Sequence, residues 1–153
     1  MIFDFSVIWD NLPLYFGGVL VTLQILLIAL AGGLALAIPL GLMRVSKSPL
    51  VNFPAWLYTY VIRGTPLLIQ VYMIYYGLAQ LEWIQDRWDT VWPWTHFKDP
   101  FFCALLAFSL NTAGYTAEMI AGAIRETSAG EIEAAQAMGM SPAQAMRRIV
   151  LPS

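Results

Sequence analysis

The chain of 153 residues is 59% hydrophobic and only 12% charged, with a formal net charge of −2. Soluble domains carry about 25% charged residues, so this composition excludes an ordinary soluble domain. The small net charge gives no indication of nucleic acid or acidic partners, and one cysteine with one histidine leaves almost no ligands for a metal site.

Residues 16–43 contain no charged side chain and predict the first membrane span. As a helix this segment measures about 42 Å, whereas the hydrocarbon core of a bilayer is roughly 30 Å thick. The preceding residues contain acids but no Lys or Arg, so they lack the basic start of a cleaved signal peptide. We therefore expect this segment to remain in the mature protein.

The second apolar stretch is interrupted by the sequence Arg63-Gly64-Thr65-Pro66. An arginine followed by glycine and proline is a poor centre for a membrane helix. We therefore expect an interfacial amphipathic piece up to Ile62, a structural break at Arg63, Gly64 and Pro66, and a second span over 66–81. Proline suits the first turn of a helix, so the span is expected to begin at Pro66.

Residues 82–100 form a loop rich in acids and tryptophan, the pattern of an aromatic belt beside a water-exposed segment. Residues 101–124 predict the third span, which contains Asn111 and Glu118. On this reading six basic residues lie on one side of the membrane: Arg44, Lys47, Arg63, Arg125, Arg147 and Arg148. The other side has only Arg87 and Lys98, which predicts a periplasmic N-terminus and a cytoplasmic C-terminal region.

The segment 128–152 predicts two short helices joined by a glycine turn. Ser128 with Glu131, and Ser141 with Gln144, have the spacing of capping boxes, and Gly139 suits a left-handed helix end. Alanine gives these helices high propensity but little bulk, so the segment is expected to be stable mainly when docked. From these features alone, a plain connecting loop remains an equal alternative. A DNA-binding helix-turn-helix has thin support from two basic residues.

The same segment resembles the EAA signature of permease subunits of ABC importers. The matching residues, with the family's spacing, are Glu133, Ala134, Ala135, Gly139, Ile149, Leu151 and Pro152. The stretches RGTPLLIQ (63–70), YYGL (75–78) and LNTAGYTAEMIAGAIRETSAGEIEAA (110–135) are similar to the polar amino acid branch of that family. They closely resemble the membrane subunits for histidine, lysine, arginine and ornithine uptake.

The resemblance implies an all-α, polytopic integral membrane helix bundle of the MetI-like type. Family members have five spans, so residues 1–153 are expected to be the N-terminal part of a permease with three spans, C-terminally incomplete. In the family the EAA loop seats in a groove of a cytoplasmic ATPase and couples its motion to the spans. The sequence has no GxxxxGK[ST] loop, so ATP is expected to be hydrolysed in a partner.

The resemblance also implies the setting in which the chain works. The expected partners are a second permease subunit, two ATP-binding ABC ATPase subunits, a periplasmic amino-acid-binding protein and membrane lipid, with no nucleic acid. The chain is expected to be a transport subunit without catalytic residues, metal or cofactor of its own, in the bacterial inner membrane. The cargo is expected to be a polar amino acid, and a basic one is favoured.

Glu118 is the main candidate for the substrate pathway. A charge in mid-span costs about 3 kcal/mol on insertion scales, so such residues usually face a bundle interior or a water-filled path. Its carboxylate could pair with a cationic amino acid, or it could be a structural residue bonded to a neighbouring helix. Asn111 and Tyr115 lie on the same helical face and could line the same site, or bond between helices. Arg63 could anchor at the headgroups or act as a gate.

Three alternative functions stay open on the sequence. A membrane-embedded enzyme would need a convergent catalytic set, which the spans lack, since they offer Asn111, Glu118 and scattered hydroxyls. A scaffold or small channel subunit would not need a coupling segment. A permease for a non-basic amino acid or an opine would share most of the features described.

Overall fold

The computed structural model describes residues 6–87, 91 and 94–150, and within these ranges it contains helices and turns but no strand. The expected all-α class is therefore confirmed for the part of the chain that is described. The α-helices are α1 Ser6–Asp10, α2 Leu12–Arg44, α3 Pro49–Gly64, α4 Leu67–Tyr72, α5 Glu82–Gln85, α6 Pro100–Glu126, α7 Ala129–Ala137 and α8 Pro142–Ala145. Two π-helical segments (Met73–Gly77, Met146–Val150) and two 3-10 segments (Leu78–Gln80, Trp94–Lys98) complete the path.

Helix α2 has the length and apolarity of a membrane span. Its 33 residues correspond to about 50 Å of helix, and its most apolar window has a mean hydropathy of 2.5. Large apolar side chains such as Leu20, Leu27 and Ile38 point outward and stay more than half exposed. Such a surface suits lipid or a partner helix and is the reverse of a soluble protein's surface.

Helix α2 is the one helix of the described residues that is both long and apolar enough to cross a membrane. Helix α6 has 27 residues, which is sufficient length, but it does not reach the same apolarity. The apolar segment Leu67–Gly77 is shorter than a span. The second and third crossings, over 66–81 and 101–124, therefore remain predictions.

The chain breaks its helical path between α3 and α4. Thr65 is extended, with φ −116° and ψ 135°, because the ring of the following proline disfavours helical geometry at the residue before it. The Thr65 hydroxyl donates to the carbonyl of Val61 at 2.9 Å and so occupies one open acceptor at the end of α3. Helix α4 begins at Leu67 with Pro66 in the capping position, one residue later than expected. It then changes from α to π to 3-10 geometry before Leu81.

The contacts divide the chain into two compact units, Met1–Gly33 with Pro66–Leu110, and Leu34–Thr65 with Asn111–Ser153. In the first unit α2 and α6 approach closely, since a Cβ added at Gly32 would lie 3.3 Å from Oγ of Ser109. The same unit holds a chain of aromatic contacts in which Trp94 meets Trp83 edge to face, with ring centroids 5.5 Å apart, and contacts Phe97 at 5.6 Å. Trp83 and Trp94 therefore pack against other rings, and Trp83 is also half exposed. Trp88 and Trp92 lie outside the described residues.

The second unit is built on small residues at its helix contacts. Thr59 is the buried polar side chain of α3 and α6 here, and the fully buried apolar ones are alanines: Ala55, Ala113, Ala117 and Ala121. Small side chains let helix backbones approach closely, which is how helices associate in membranes. The core of this unit is therefore thin in side-chain volume, and its helices lie close together.

The end of α3 packs against the middle of α6. A Cβ added at Gly114 would lie 2.6 Å from Cγ2 of Ile62, so Ile62 fits into the groove that this glycine leaves. Gly114 lies in the middle of the predicted third span. The interfacial position of the piece up to Ile62 remains a prediction, and the structure shows that the end of this piece packs against α6 at Gly114.

Candidate functional site

Glu118 of α6 is held by two side chains from other helices. The Nε of Arg44, at the end of α2, donates to Oε1 of Glu118 at 2.5 Å. The hydroxyl of Thr59, in α3, donates to the same oxygen at 2.8 Å. Because the Arg44 and Glu118 side chains are only 12% and 16% exposed, this is a largely buried ion pair. One carboxylate oxygen thus joins α2, α3 and α6.

Arg44 is itself fixed by further bonds. Its Nη1 donates to Oδ1 of Asn52 at 2.8 Å, and the Asn52 amide donates back to the Arg44 carbonyl at 3.0 Å. The guanidinium of Arg125, near the end of α6, also donates to that carbonyl at 3.0 Å. The last carbonyls of a helix have no partner within the helix, so these two bonds satisfy one open acceptor at the end of α2. The arrangement holds the Arg44 guanidinium beside Glu118.

Arg63 approaches the same carboxylate from the end of α3 without bonding to it. Its Nη1 lies 3.9 Å from Oε2 of Glu118, and its guanidinium carbon lies 5.7 Å from the ring centre of Tyr115. The second distance is within the range of a cation–π contact. Arg63 is 47% exposed, far more than Arg44.

These groups surround an open cavity of about 260 Å³. Two arginines and one glutamate contribute its charge, and two aromatic side chains contribute apolar wall. The lining residues are Arg44, Trp56, Thr59, Tyr60, Arg63, Gly64 and Glu118. The rings of Trp56 and Tyr60 stack with centroids 5.3 Å apart, which gives the cavity one flat side.

The structure brings two of the three residues proposed from the sequence for the substrate pathway, Glu118 and Tyr115, to the same arginine. Glu118 lines the cavity, and Tyr115 contacts its arginine from a half-exposed position. Asn111 lies seven residues before Glu118 in α6 and is partly buried. Oε1 of Glu118 is already occupied by Arg44 and Thr59, so only Oε2 faces the cavity without a hydrogen bond from the described residues. A direct pairing of the whole carboxylate with a cationic ligand is therefore not what this arrangement offers.

Sequence reasoning missed Arg44, Thr59 and Asn52 as parts of this site. In the sequence Arg44 follows the first span directly, and it indicates only the orientation of that span in the membrane. The signal that could have found it is the need of a charge inside a predicted span for a partner of opposite sign. Thr59 gave no comparable signal, because a helical threonine can equally place its hydroxyl beside a carbonyl of its own helix, and the Trp56 carbonyl lies 3.1 Å away.

The C-terminal bend, residues 128–150, has the local geometry that its sequence predicts. Ser128 accepts a hydrogen bond from the Glu131 amide, which is one half of its predicted capping box, and Ser141 forms a complete capping box with Gln144. Gly139 has φ +79°, and bonds from its amide to the carbonyl of Gln136 and from Met140 to Ala135 close the end of α7 in a Schellman motif. A left-handed residue is needed here, so glycine is required for the turn.

Burial divides the EAA residues of this bend into two groups. Ala135 is only 1% exposed, Ala145 and Val150 are also buried, and α7 contacts both α8 and the π-helical segment that follows it. Glu133, Ala134 and Gly139 are exposed, and Ile149 is partly buried. Leu151 and Pro152 lie outside the described residues. The bend is thus supported from within by Ala135 and presents Glu133 and Ala134 outward.

Met138 is a surface feature of the bend that the sequence analysis did not single out. Its side chain is 77% exposed beside the glycine turn. On the second helix, an open notch of about 480 Å³ is lined by Ala143, Gln144, Arg147 and Arg148. The bend therefore offers one exposed apolar side chain and one cationic notch to a partner.

Comparison with known proteins places this geometry in a family context. Residues 33–153 match the family model described as "binding-protein-dependent transport system inner membrane component". The chain is 44% identical over 149 residues to the nopaline transport system permease protein of Agrobacterium fabrum, covering 97% of this chain and 61% of that protein. It is 43% identical over 143 residues to the histidine/lysine/arginine/ornithine transport system permease protein of Escherichia coli, covering 90% and 57%.

A solved structure shows the same fold. The crystal structure of an amino acid ABC transporter with histidines aligns with a TM-score of 0.79 at 31% sequence identity, covering 99% of this chain and 65% of that chain. The chain thus spans about three fifths of the length of the curated relatives named above. The match over residues 33–153 and the identities above 40% establish that the chain belongs to the binding-protein-dependent transport system inner membrane component family.

Proposed function

We propose that this chain is the membrane-spanning permease part of an ATP-driven importer of polar amino acids, and that residues 128–150 dock on a separate ATPase. The observation that carries the proposal is the bend itself. It is held by its own caps and by Ala135, and it turns Glu133, Ala134 and Met138 outward. Such a preformed surface loses little conformational entropy on binding, so it suits a docking role.

The chemistry of the bend describes the partner surface. An exposed methionine is a flexible apolar side chain that fills an irregular pocket. The notch with Arg147 and Arg148 fits a carboxylate on the partner, because guanidinium groups bind carboxylates in a bidentate manner. The proposed partner therefore presents an apolar groove with an acidic group beside it. ATP is bound and hydrolysed in that partner.

The relatives support the class of cargo. Their names specify nopaline in one case and histidine, lysine, arginine and ornithine in the other. We infer a basic amino acid or an opine as the cargo of this chain. A second permease subunit and a periplasmic binding protein complete the proposed assembly, which lies in the bacterial inner membrane with the bend on the cytoplasmic side.

Co-purification of the ATPase tests this function. Replacing residues 128–150 by a Gly/Ser segment of equal length is expected to abolish retention of the ATPase while the chain stays in the membrane. Met138→Ser is expected to weaken retention, whereas Val7→Ser, which changes an exposed apolar residue of α1, is a matched control that leaves it unchanged. Full retention after the Gly/Ser replacement would instead favour a scaffold or channel subunit.

A further inference from the structure

The cavity beside Glu118 has more positive than negative charge. Arg44 and Arg63 contribute two guanidinium groups to its wall, and Glu118 contributes one carboxylate. Two cationic groups against one carboxylate give the cavity a formal excess of one positive charge. Since Arg44 donates to Glu118 and Asn52, whereas Arg63 bonds to neither, we assign the excess charge to Arg63.

The Arg63 guanidinium has no hydrogen bond to any residue that the structure describes. A guanidinium has five N–H donors. The nearest acceptor on another side chain, Oε2 of Glu118, is 3.9 Å away, which is beyond hydrogen-bond distance. Tyr115 supports the guanidinium through its ring and leaves the N–H groups free. A charge at the depth of a predicted span needs a partner, and the cavity is where these donors can find one.

The walls of the cavity define the size and shape of that partner. Its volume of about 260 Å³ is close to the lower end of ligand pockets, about 300 Å³, so it holds one small molecule. The stacked rings of Trp56 and Tyr60 provide an apolar side of the cavity. Gly64 adds no side chain at the rim, and a Cβ built there meets no atom within 4 Å.

We propose that Arg63 binds the α-carboxylate of the transported amino acid and that Oε2 of Glu118 accepts a hydrogen bond from its α-ammonium group. Planar bidentate contact with a carboxylate is the geometry that a guanidinium favours. The side chain of the ligand then lies along Trp56 and Tyr60. Glu118 does not contact the charge of that side chain. This inference rests on the proposed function, and it assigns recognition to the part that all amino acids share.

Direct binding of arginine to the assembled permease and ATPase tests the inference. The assembly is placed in nanodiscs of phosphatidylcholine without the binding protein, which has its own site for the same ligand. Arg63→Gln is expected to weaken arginine binding about tenfold or more, because a hydrogen-bonded charge pair is lost. Arg63→Lys keeps the charge but lacks the forked guanidinium. Its affinity for arginine is expected to lie between those of the unchanged chain and Arg63→Gln. Lys47→Gln, a cation that does not line this cavity, is the matched control and is expected to bind like the unchanged chain.

A change in the ligand provides the second arm. Argininamide lacks the carboxylate, so it is expected to bind the unchanged chain as weakly as arginine binds Arg63→Gln. The same substitution is expected to weaken argininamide no further. Such non-additivity shows that the carboxylate and Arg63 interact directly.

Two results would overturn the inference. One is equal arginine affinity of the unchanged chain and Arg63→Gln. The other, measured in parallel nanodiscs that also contain phosphatidylglycerol, is retention of that lipid that Arg63→Gln abolishes while arginine binding persists, which would assign Arg63 to a lipid phosphate. In both cases the ATPase would still co-purify and import would continue, so the proposed function would stand. Loss of ATPase binding by the unchanged chain would instead remove the proposed function.

Discussion

Arg44 and Glu118 are 74 residues apart in the sequence, yet the Nε of the arginine donates to Oε1 of the glutamate at 2.5 Å. The pair joins the end of α2 to the second half of α6, and Thr59 adds α3 to the same oxygen. Its low exposure means that either partner alone would be a poorly solvated charge. The pair therefore couples the positions of these three helices and limits which substitutions its two residues tolerate.

Removing one member of this pair is expected to be worse than removing both. Arg44→Met or Glu118→Met leaves one buried charge without its partner and is expected to cost about 3 kcal/mol or more, whereas the double substitution leaves two apolar side chains and is expected to cost less than either. The measurement is the thermal midpoint of the solubilised transporter. A double variant that is less stable than both single variants would contradict the pairing. Lys47→Met serves as the control for loss of a nearby cation.

Glu118→Gln is expected to slow import of arginine and of histidine by similar factors. At pH 8 the histidine side chain is neutral and the arginine side chain is charged, so the two ligands differ in side-chain charge. Because Oε1 accepts from Arg44 and Thr59, the substitution changes the cavity wall and does not remove a partner of the cargo's charged side chain. The rate of import is therefore expected to fall equally for both ligands. Uptake of both ligands into cells measures it, with Glu126→Gln in the same helix as control. A loss for arginine about tenfold larger than for histidine would show that Glu118 does read the cargo's side-chain charge.

Gly114→Ala is expected to destabilise the contact between α3 and α6 by about 1–3 kcal/mol. The new methyl group would lie 2.6 Å from Cγ2 of Ile62 and 3.1 Å from its Cβ, and a β-branched side chain has little freedom to move aside. Adding Ile62→Ala is expected to restore most of the stability. Gly122→Ala is a matched control in the same helix, since its Cβ meets nothing within 4 Å, and it is expected to be neutral or stabilising. Thermal denaturation compares them, and equal midpoints for the Gly114 and Gly122 variants would refute the close approach.

Gly139→Ala is expected to weaken retention of the ATPase. The φ of +79° costs about 1–2 kcal/mol for a residue with a Cβ, and asparagine tolerates it better than alanine. Gly139→Asn is therefore expected to retain more ATPase than Gly139→Ala. Gly130→Ala, in the first turn of α7, is the control, because its Cβ makes only an ordinary contact at 3.5 Å. The same retention for the alanine variants at 130 and 139 would contradict a role for the turn.

Local features of the bend were predictable because they depend on residues close in sequence. Ser141 and Gln144 satisfy each other's backbone groups over three residues, and Gly139 needs only its own dihedral angles to be recognised. The break before Pro66 follows from the same kind of short-range sterics. Here the sequence predicts both the kind of structure and its position to within a residue.

The cavity was predictable only in part, because its contacts are distant in sequence. Glu118 stood out as a charge within a predicted span, but its pairing with Arg44 requires the two helices to be placed side by side. The close approach of Ile62 to Gly114 likewise depends on tertiary packing. The π-helical segment Met73–Gly77 has no local signal that we can identify.

Two isoleucines fix the axial register of α6 against its neighbours. Ile62 occupies the space at Gly114, and Ile120 faces Gly41 so closely that a Cβ there would lie 2.7 Å from its Cγ2. Sliding α6 along either neighbour by one turn would drive each branched side chain into a backbone that has no gap for it. We therefore expect force at the C-terminal bend to tilt the second half of α6 about these two contacts and not to slide it along its neighbours.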